Sequence, residues 1–273
     1  MLFAGTTEGR DLSHFMYVQG IPVSIYTATR YGAEALRDAG VAAGPAGTGV
    51  TINTGRLDEA AVRAEIIKNR PIAVIDATHP FAEEAGRTIR RCCCDCDTLL
   101  IKVLRPEIPM LGRGAVTRTK NVAEAAEYLS LKKGNILLTI GSRRLDIFCK
   151  AFLRNNGAEV STDELDRLCV RILPVPDSLR ICIDCGIRPR NIMAVEGPFS
   201  EDMNLSCIRH FDAAYLVTKE TGYEGGMCEK LSAAEKAGIE VVTVMRPPSE
   251  GGVSVDEAKE MIAALWDDSC SLA

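Results

Sequence analysis

Short runs rich in glycine, hydroxyls and charge stand directly after apolar runs, and chemistry is expected there. Gly5-Thr6-Thr7-Glu8-Gly9 follows the apolar Met1–Ala4. A glycine in such a turn lets backbone N–H groups approach a phosphate, and the helix start adds a favourable dipole. The run lacks the full Gly-x-Gly-x-x-Gly pattern, so alone it reads as a tight turn or as a nucleotide cradle. Thr29-Arg30 follows the second apolar run. In doubly wound folds this point meets the adenosine ribose, where an acid suits NAD and an arginine the 2′-phosphate of NADP. Arg30 leans the reading to NADPH, with a solvated surface arginine as the plain alternative. Asp76-Ala77-Thr78-His79-Pro80-Phe81 puts a carboxylate, a hydroxyl and one of only three histidines at the end of Ile72–Ala77.

The second half repeats this logic. Thr139-Ile140-Gly141-Ser142 and Glu196-Gly197-Pro198-Phe199-Ser200 both end apolar runs, and Thr218-Lys219-Glu220-Thr221-Gly222 leads through Gly225-Gly226 to Glu229-Lys230. Any one of these is ordinary loop chemistry; several in series indicate a second binding edge. No Gly-x-Ser-x-Gly, paired-histidine zinc motif or Lys-Ser/Thr phosphate loop is present. That favours chemistry brought by a bound cofactor, with the protein supplying position and field.

The elements that position these turns follow from periodicity. Strands are predicted at Met1–Ala4, Pro22–Thr27, Ile72–Ala77 and Leu99–Leu104, and helices at Leu12–Gln19, Leu57–Lys68 and Ala82–Cys94. Continuous apolar strands alternating with helices imply a parallel sheet covered on both faces. Arg105–Gly114, with Pro106, Pro109, Gly112 and Gly114, is the best linker. Beyond it, strands are predicted at Asn135–Ile140, Val170–Leu173, Ile192–Val195, Ala214–Thr218 and Val241–Met245, and helices at Val122–Leu131, Cys228–Ala237 and Asp256–Trp266. The expected fold class is α/β, with two domains spanning 1–108 and 109–273.

A net charge of −5 argues against nucleic acid as a partner, and any anionic ligand needs a local positive field. No apolar stretch is long enough to span a bilayer and no signal peptide is visible, so no membrane partner and a cytoplasmic location are expected. The 11 cysteines include Cys92-Cys93-Cys94-Asp95-Cys96 and Cys182-Ile183-Asp184-Cys185. An odd count without a signal peptide argues against a disulfide framework. Cys92–Cys94 on a helix would point to different faces, so structural thiols are expected and no metal. A thiol redox or metal protein is the minor reading.

Taken in order, Ala4–Gly9, Tyr31-Gly32, Gly55-Arg56-Leu57-Asp58, Asp76–Ala82, Thr139–Ser142, Glu196–Ser200, Thr218–Gly222 and Arg246-Pro247-Pro248 resemble the precorrin-6A reductase family, including its cobalt-precorrin-6A branch. The resemblance implies two Rossmann-like domains with parallel sheets, cofactor and substrate lying in the cleft between them. It implies NADPH-dependent reduction of one double bond of the precorrin-6A macrocycle to precorrin-6B in cobalamin biosynthesis. Gly5, Thr6, Thr7 and Glu8 match the first-turn cofactor loop; Thr29, Arg30, Thr78, Gly141 and Ser142 join them as cofactor candidates. A tetrapyrrole bearing many carboxylates calls for cations, and Arg56, Arg105, Arg143, Lys219 and Lys230 stand in or beside the turns, with Phe199 facing the same site. His79 and Lys219 are the candidates to deliver the proton. The departures are Ala4 for the first glycine, Arg30 where an acid is common, and Glu196 for a frequent glutamine. The alternative is a dinucleotide-binding regulatory protein without turnover, which would not need the second-half motifs.

Overall fold

A computed structural model describes residues 1–42, 49–105, 115–154, 162–220, 226–247 and 251–271. The chain divides into two compact units, Met1–Pro106 with Pro247–Ala273, and Glu107–Arg246.

The first unit is built on strands β1 (Leu2–Ala4), β2 (Val23–Thr27), β3 (Val50–Thr54), β4 (Ala73–Ala77) and β5 (Leu99–Lys102). They run in the order β3-β2-β1-β4-β5, every pair parallel. Neighbouring residues of a strand point to opposite faces, so each strand feeds two cores. Leu2, Ile25 and Ile75 face one side with Leu12 and Met16 of helix α1 (Thr7–Val18) and Leu36 of α2 (Arg30–Asp38). Phe3, Tyr26 and Val74 face the other with Val62 and Ile66 of α3 (Glu59–Asn69) and Ile89, Cys92 and Cys93 of α4 (Glu83–Asp95). This two-faced burial is why β1 and the Ala73-Val74-Ile75 stretch of β4 read as unbroken apolar runs.

The second unit has strands β6 (Val116–Thr119), β7 (Asn135–Leu138), β8 (Leu168–Ile172), β9 (Ile192–Ala194), β10 (Ala213–Lys219) and β11 (Glu240–Val244). Their order is β6-β11-β10-β7-β8-β9, again parallel throughout. Helices α5 (Val122–Ser130), α6 (Leu145–Arg154), α7 (Pro176–Asp184), α8 (Glu201–His210) and α9 (Met227–Ala237) connect them.

One expected boundary is corrected. The tail, assigned on sequence to the 109–273 domain, belongs to the first unit. Ala258 and Ile262 of helix α10 (Val255–Ser271) are buried in the core that holds Leu12 and Met16. Val253 pairs in parallel with Val103 beyond the end of β5. The chain therefore passes between units twice. The residues from 106 to 114, 221 to 225 and 248 to 250, which include all of the expected linker but Arg105, and part of the Thr218–Gly222 turn, lie outside the described residues.

Candidate functional site

In the first unit the chain runs outward from β1 through β2 to β3, then returns to the far side of β1 at β4. A reversal of strand order opens a crevice at the carboxyl ends of the two central strands. Gly5 and Thr6 sit there: the Gly5 N–H donates to the Ala77 carbonyl at 3.3 Å and the Thr6 hydroxyl to the same oxygen at 3.1 Å. The Thr6 oxygen also accepts from the Gly9 N–H at 3.2 Å, which caps α1 and fixes its start against the sheet. A Cβ on Gly9 would lie 3.0 Å from the Cα of Ala4, so glycine lets the helix come this close to β1 without a shift of the backbone. That is the role of the last glycine in a dinucleotide-binding turn. A glycine at the loop, a sheet-facing helix start and a close-packed Gly9 together fit a dinucleotide phosphate.

The neighbouring turn after β4 is held from behind. Asp76, 3% exposed, accepts on one oxygen from both the Thr78 N–H (3.0 Å) and the Thr78 hydroxyl (2.6 Å). His79 accepts on Nδ1 from the Phe81 N–H at 3.2 Å. In the neutral ring the proton then resides on Nε2. Glu8, in the first turn of α1, is gripped at both oxygens by Arg105, Nε at 2.8 Å and Nη2 at 2.9 Å. Burial pushes the Glu8 carboxyl up, but the bonds from Arg105, its own backbone N–H and Thr6 outweigh it and hold it below the ordinary value. Thr7 accepts from Arg10 at 2.8 Å. Farther along the same edge, Thr29 caps α2 by accepting from the Gly32 N–H at 3.1 Å, Arg30 is the exposed first residue of that helix, and Arg56 is exposed just past β3.

The second unit presents a different edge. Strand order reverses between β7 and β10, and a cavity of about 300 Å³ opens at the strand ends, lined by Thr139, Gly141, Arg171, Phe199, Asn204 and Lys230 among others. Arg171 lies near the end of β8 and is 6% exposed. Its guanidinium sits 3.9 Å over the Phe199 ring centroid and donates to Asn204 Oδ1 at 2.9 Å. Asn204 in turn donates to the backbone carbonyls of Phe199 and Ser200. Among the described residues no carboxylate pairs with Arg171, and burial lowers its pKa. Lys230 of α9 is buried, and its pKa is lowered to about 8 by that burial and then by Arg171, with Glu229 acting in the opposite sense. Lys219, at the end of β10, is likewise lowered to about 8, by burial first and then by Arg144 and Arg143.

Gly141, at φ 77°, and Ser142 lie on this edge too. The buried Ser142 hydroxyl donates to Ser178 of α7 at 3.0 Å, tying the Ser142–Arg144 turn to that helix. Thus Gly5, Thr6, Thr7, Glu8, Thr78, His79 and Arg105 gather at one crevice, and Gly141, Ser142, Arg143, Phe199, Lys219 and Lys230 along another edge. Arg171, Arg144 and Asn204 escaped sequence reasoning. The signal for Arg171 was a single charge inside the apolar run Leu168–Ile172. Of the clustered thiols, Cys92 and Cys93 lie in the α3–α4 core, Cys94 is exposed and Cys96 half-buried. Among the described residues no three His, Cys, Asp or Glu side chains gather as a metal site.

Comparison with known proteins matches the same span. The model of the family described as precorrin-6x reductase CbiJ/CobK matches residues 1–265. This chain belongs to that family. Among the family's curated members, the cobalt-precorrin-6A reductase of Priestia megaterium is 29% identical over 271 residues, covering 99% of each chain. That of Salmonella typhimurium is 31% identical over 266 residues, 97% of this chain and 93% of its own. The precorrin-6A reductase of Rhodococcus erythropolis is 30% identical over 194 residues, 68% and 67% of the two chains. A solved CobK precorrin-6A reductase shares the fold with a TM-score of 0.70 at 20% identity, covering 97% of this chain and 96% of the other. The family is one of oxidoreductases acting on a corrinoid precursor, and among the described residues no helix is long and apolar enough to cross a membrane.

Proposed function

We propose that this chain reduces one carbon–carbon double bond of the precorrin-6A macrocycle, in its metal-free or cobalt form, with NADPH as reductant. The observation that carries the reading is Arg171: a buried guanidinium with no carboxylate partner among the described residues, set in a cavity with Lys230. A buried charge without a counter-charge is costly unless a ligand supplies one. A tetrapyrrole rimmed by carboxylates does so, and the Phe199 face offers it an apolar surface. The residue at the same edge with a pKa brought down to about 8, Lys219, binds a second carboxylate in its protonated form.

The dinucleotide belongs at the β1–β4 crevice. Gly5, Thr6 and the start of α1 take its pyrophosphate, and Arg30, exposed at the end of β2, takes the 2′-phosphate that distinguishes NADPH from NADH. NADPH supplies a hydride when bound; the double bond then needs one proton at its second carbon. His79, positioned by the Phe81 N–H at Nδ1, would deliver it from its imidazolium form, and Lys219 would deliver it from its ammonium form; these are the two candidates. The reaction belongs in the cytoplasm, where NADPH is replenished. A regulatory protein that bound the dinucleotide without turnover would have no use for the Arg171 cavity.

The test is anaerobic incubation of the protein with NADPH and either metal-free or cobalt precorrin-6A. Stoichiometric NADPH loss with a change in the corrinoid spectrum is expected with at least one of them. NADPH binding without consumption in the presence of both substrates would move the protein to the regulatory class.

A further inference from the structure

The Glu8–Arg105 pair is placed where a charge matters most. Glu8 is the second residue of α1, directly after Gly5-Thr6-Thr7, so its carboxylate lies at the positive end of the helix. Alone, such a carboxylate would occupy the dipole that a phosphate needs and would repel the phosphate as well. Arg105, past the end of β5, reaches across the sheet edge and holds both oxygens, with side chains only 8% (Arg105) and 10% (Glu8) exposed. Glu8 is thus turned away from ligand recognition and neutralised at the same time.

We infer that Arg105 is a positioning residue that keeps the start of α1 electrically open to an anion by cancelling Glu8. This rests on the reading that the same loop receives the dinucleotide phosphates. Sequence reasoning gave Glu8 to the cofactor and Arg105 to the substrate; here each serves the other, and the ligand meets a neutral pair. Two unit charges a few ångströms apart near a protein surface interact strongly enough to alter affinity by about tenfold or more.

Substitutions at the two halves of this ion pair should change NADPH affinity with opposite signs. NADPH affinity of the full chain is measured by fluorescence titration without corrinoid substrate, beside thermal denaturation of each variant. Arg105→Met should weaken NADPH about tenfold, and the loss should shrink as salt is raised. Glu8→Gln should bind NADPH as tightly as the parent or tighter. Arg105→Lys, which keeps the charge but loses the two-pronged grip, should stay within about threefold. The double variant Glu8→Gln/Arg105→Met, neutral again, should return close to the parent and gives a folded reference if Arg105→Met is unstable. Equal weakening by Glu8→Gln and Arg105→Met, or no change in either, would overturn the inference. Gly5→Val separates this from the underlying reading: if it abolishes NADPH binding while the pair variants bind normally, only the role of Arg105 is wrong. If Gly5→Val binds NADPH normally, the dinucleotide is not at this loop and both fall.

Discussion

The two sheets share a parallel architecture, yet their carboxyl edges are electrically unlike. At the β1–β4 edge the inner polar groups are satisfied by the protein itself: Thr6 by Ala77 and Gly9, Thr78 by Asp76, Glu8 by Arg105. What this edge offers at its centre is backbone, with the adjacent Glu8 and Arg105 charges cancelling each other. At the β7–β10 edge the cations Arg171, Lys219 and Lys230 are buried or half-buried, and each has its pKa lowered chiefly by burial. Neutral cradles suit ligands recognised by shape and backbone donors; desolvated cations suit ligands that bring negative charge. On the proposed reading, the first edge takes the dinucleotide and the second the polycarboxylate, although both sheets reverse strand order in the same way.

The comparison is most exposed at Arg171. Arg171→Met should raise the KM for the macrocycle about a hundredfold, because a desolvated charge–charge contact is lost, while NADPH affinity stays within about twofold. The Tm of the unliganded protein should hold or rise, since a buried charge without a carboxylate partner among the described residues is removed. An unaltered KM with a lower Tm would make the cavity a structural feature and dissolve the contrast between the edges. The first edge is tested at Arg30. Arg30→Ala should weaken NADPH about tenfold and leave NADH almost unchanged, as expected for one charge-assisted phosphate contact. Equal losses for the two cofactors would remove Arg30 as the phosphate reader.

How much of this was legible follows from burial. β4 and β7 were readable because strands covered on both faces carry continuous apolar stretches, as in Ala73-Val74-Ile75 and Ile136-Leu137-Leu138. β3 and β6 were not, because edge strands with solvent on one side tolerate Val-Thr-Ile-Asn-Thr and Val-Thr-Arg-Thr. The allegiance of α10 was hidden for another reason. An amphipathic helix records that it covers a core, and only Ala258 and Ile262 meeting Leu12 say which. The turns carrying Gly5, His79 and Lys219 stood out because glycine, hydroxyl and charge follow apolar runs. Their roles did not, since Glu8 and Arg105 are 97 positions apart and a pairing of that range leaves no local trace.

The smallest expected effect is also the one that separates binding from folding. Lys219 and Lys230 have pKa values of about 8 in the folded protein against 10.5 for an ordinary lysine. Between those values the unfolded chain still carries both protons and the folded protein has shed them. The unfolded state then binds more protons, so stability of the unliganded protein should rise with pH across this window. Affinity for a carboxylate ligand should run the other way. The ammonium forms bind, so the macrocycle KM should be flat below pH 8 and climb several-fold between about 8 and 9.5. NADPH affinity, set at an edge without these lysines, should stay level over the same range. Thermal denaturation and initial rates from pH 7 to 10 would read both slopes in one buffer series. Parallel decline of NADPH affinity and macrocycle affinity would mean that both ligands depend on the same lysines, and the division of labour between the two edges would have to be redrawn.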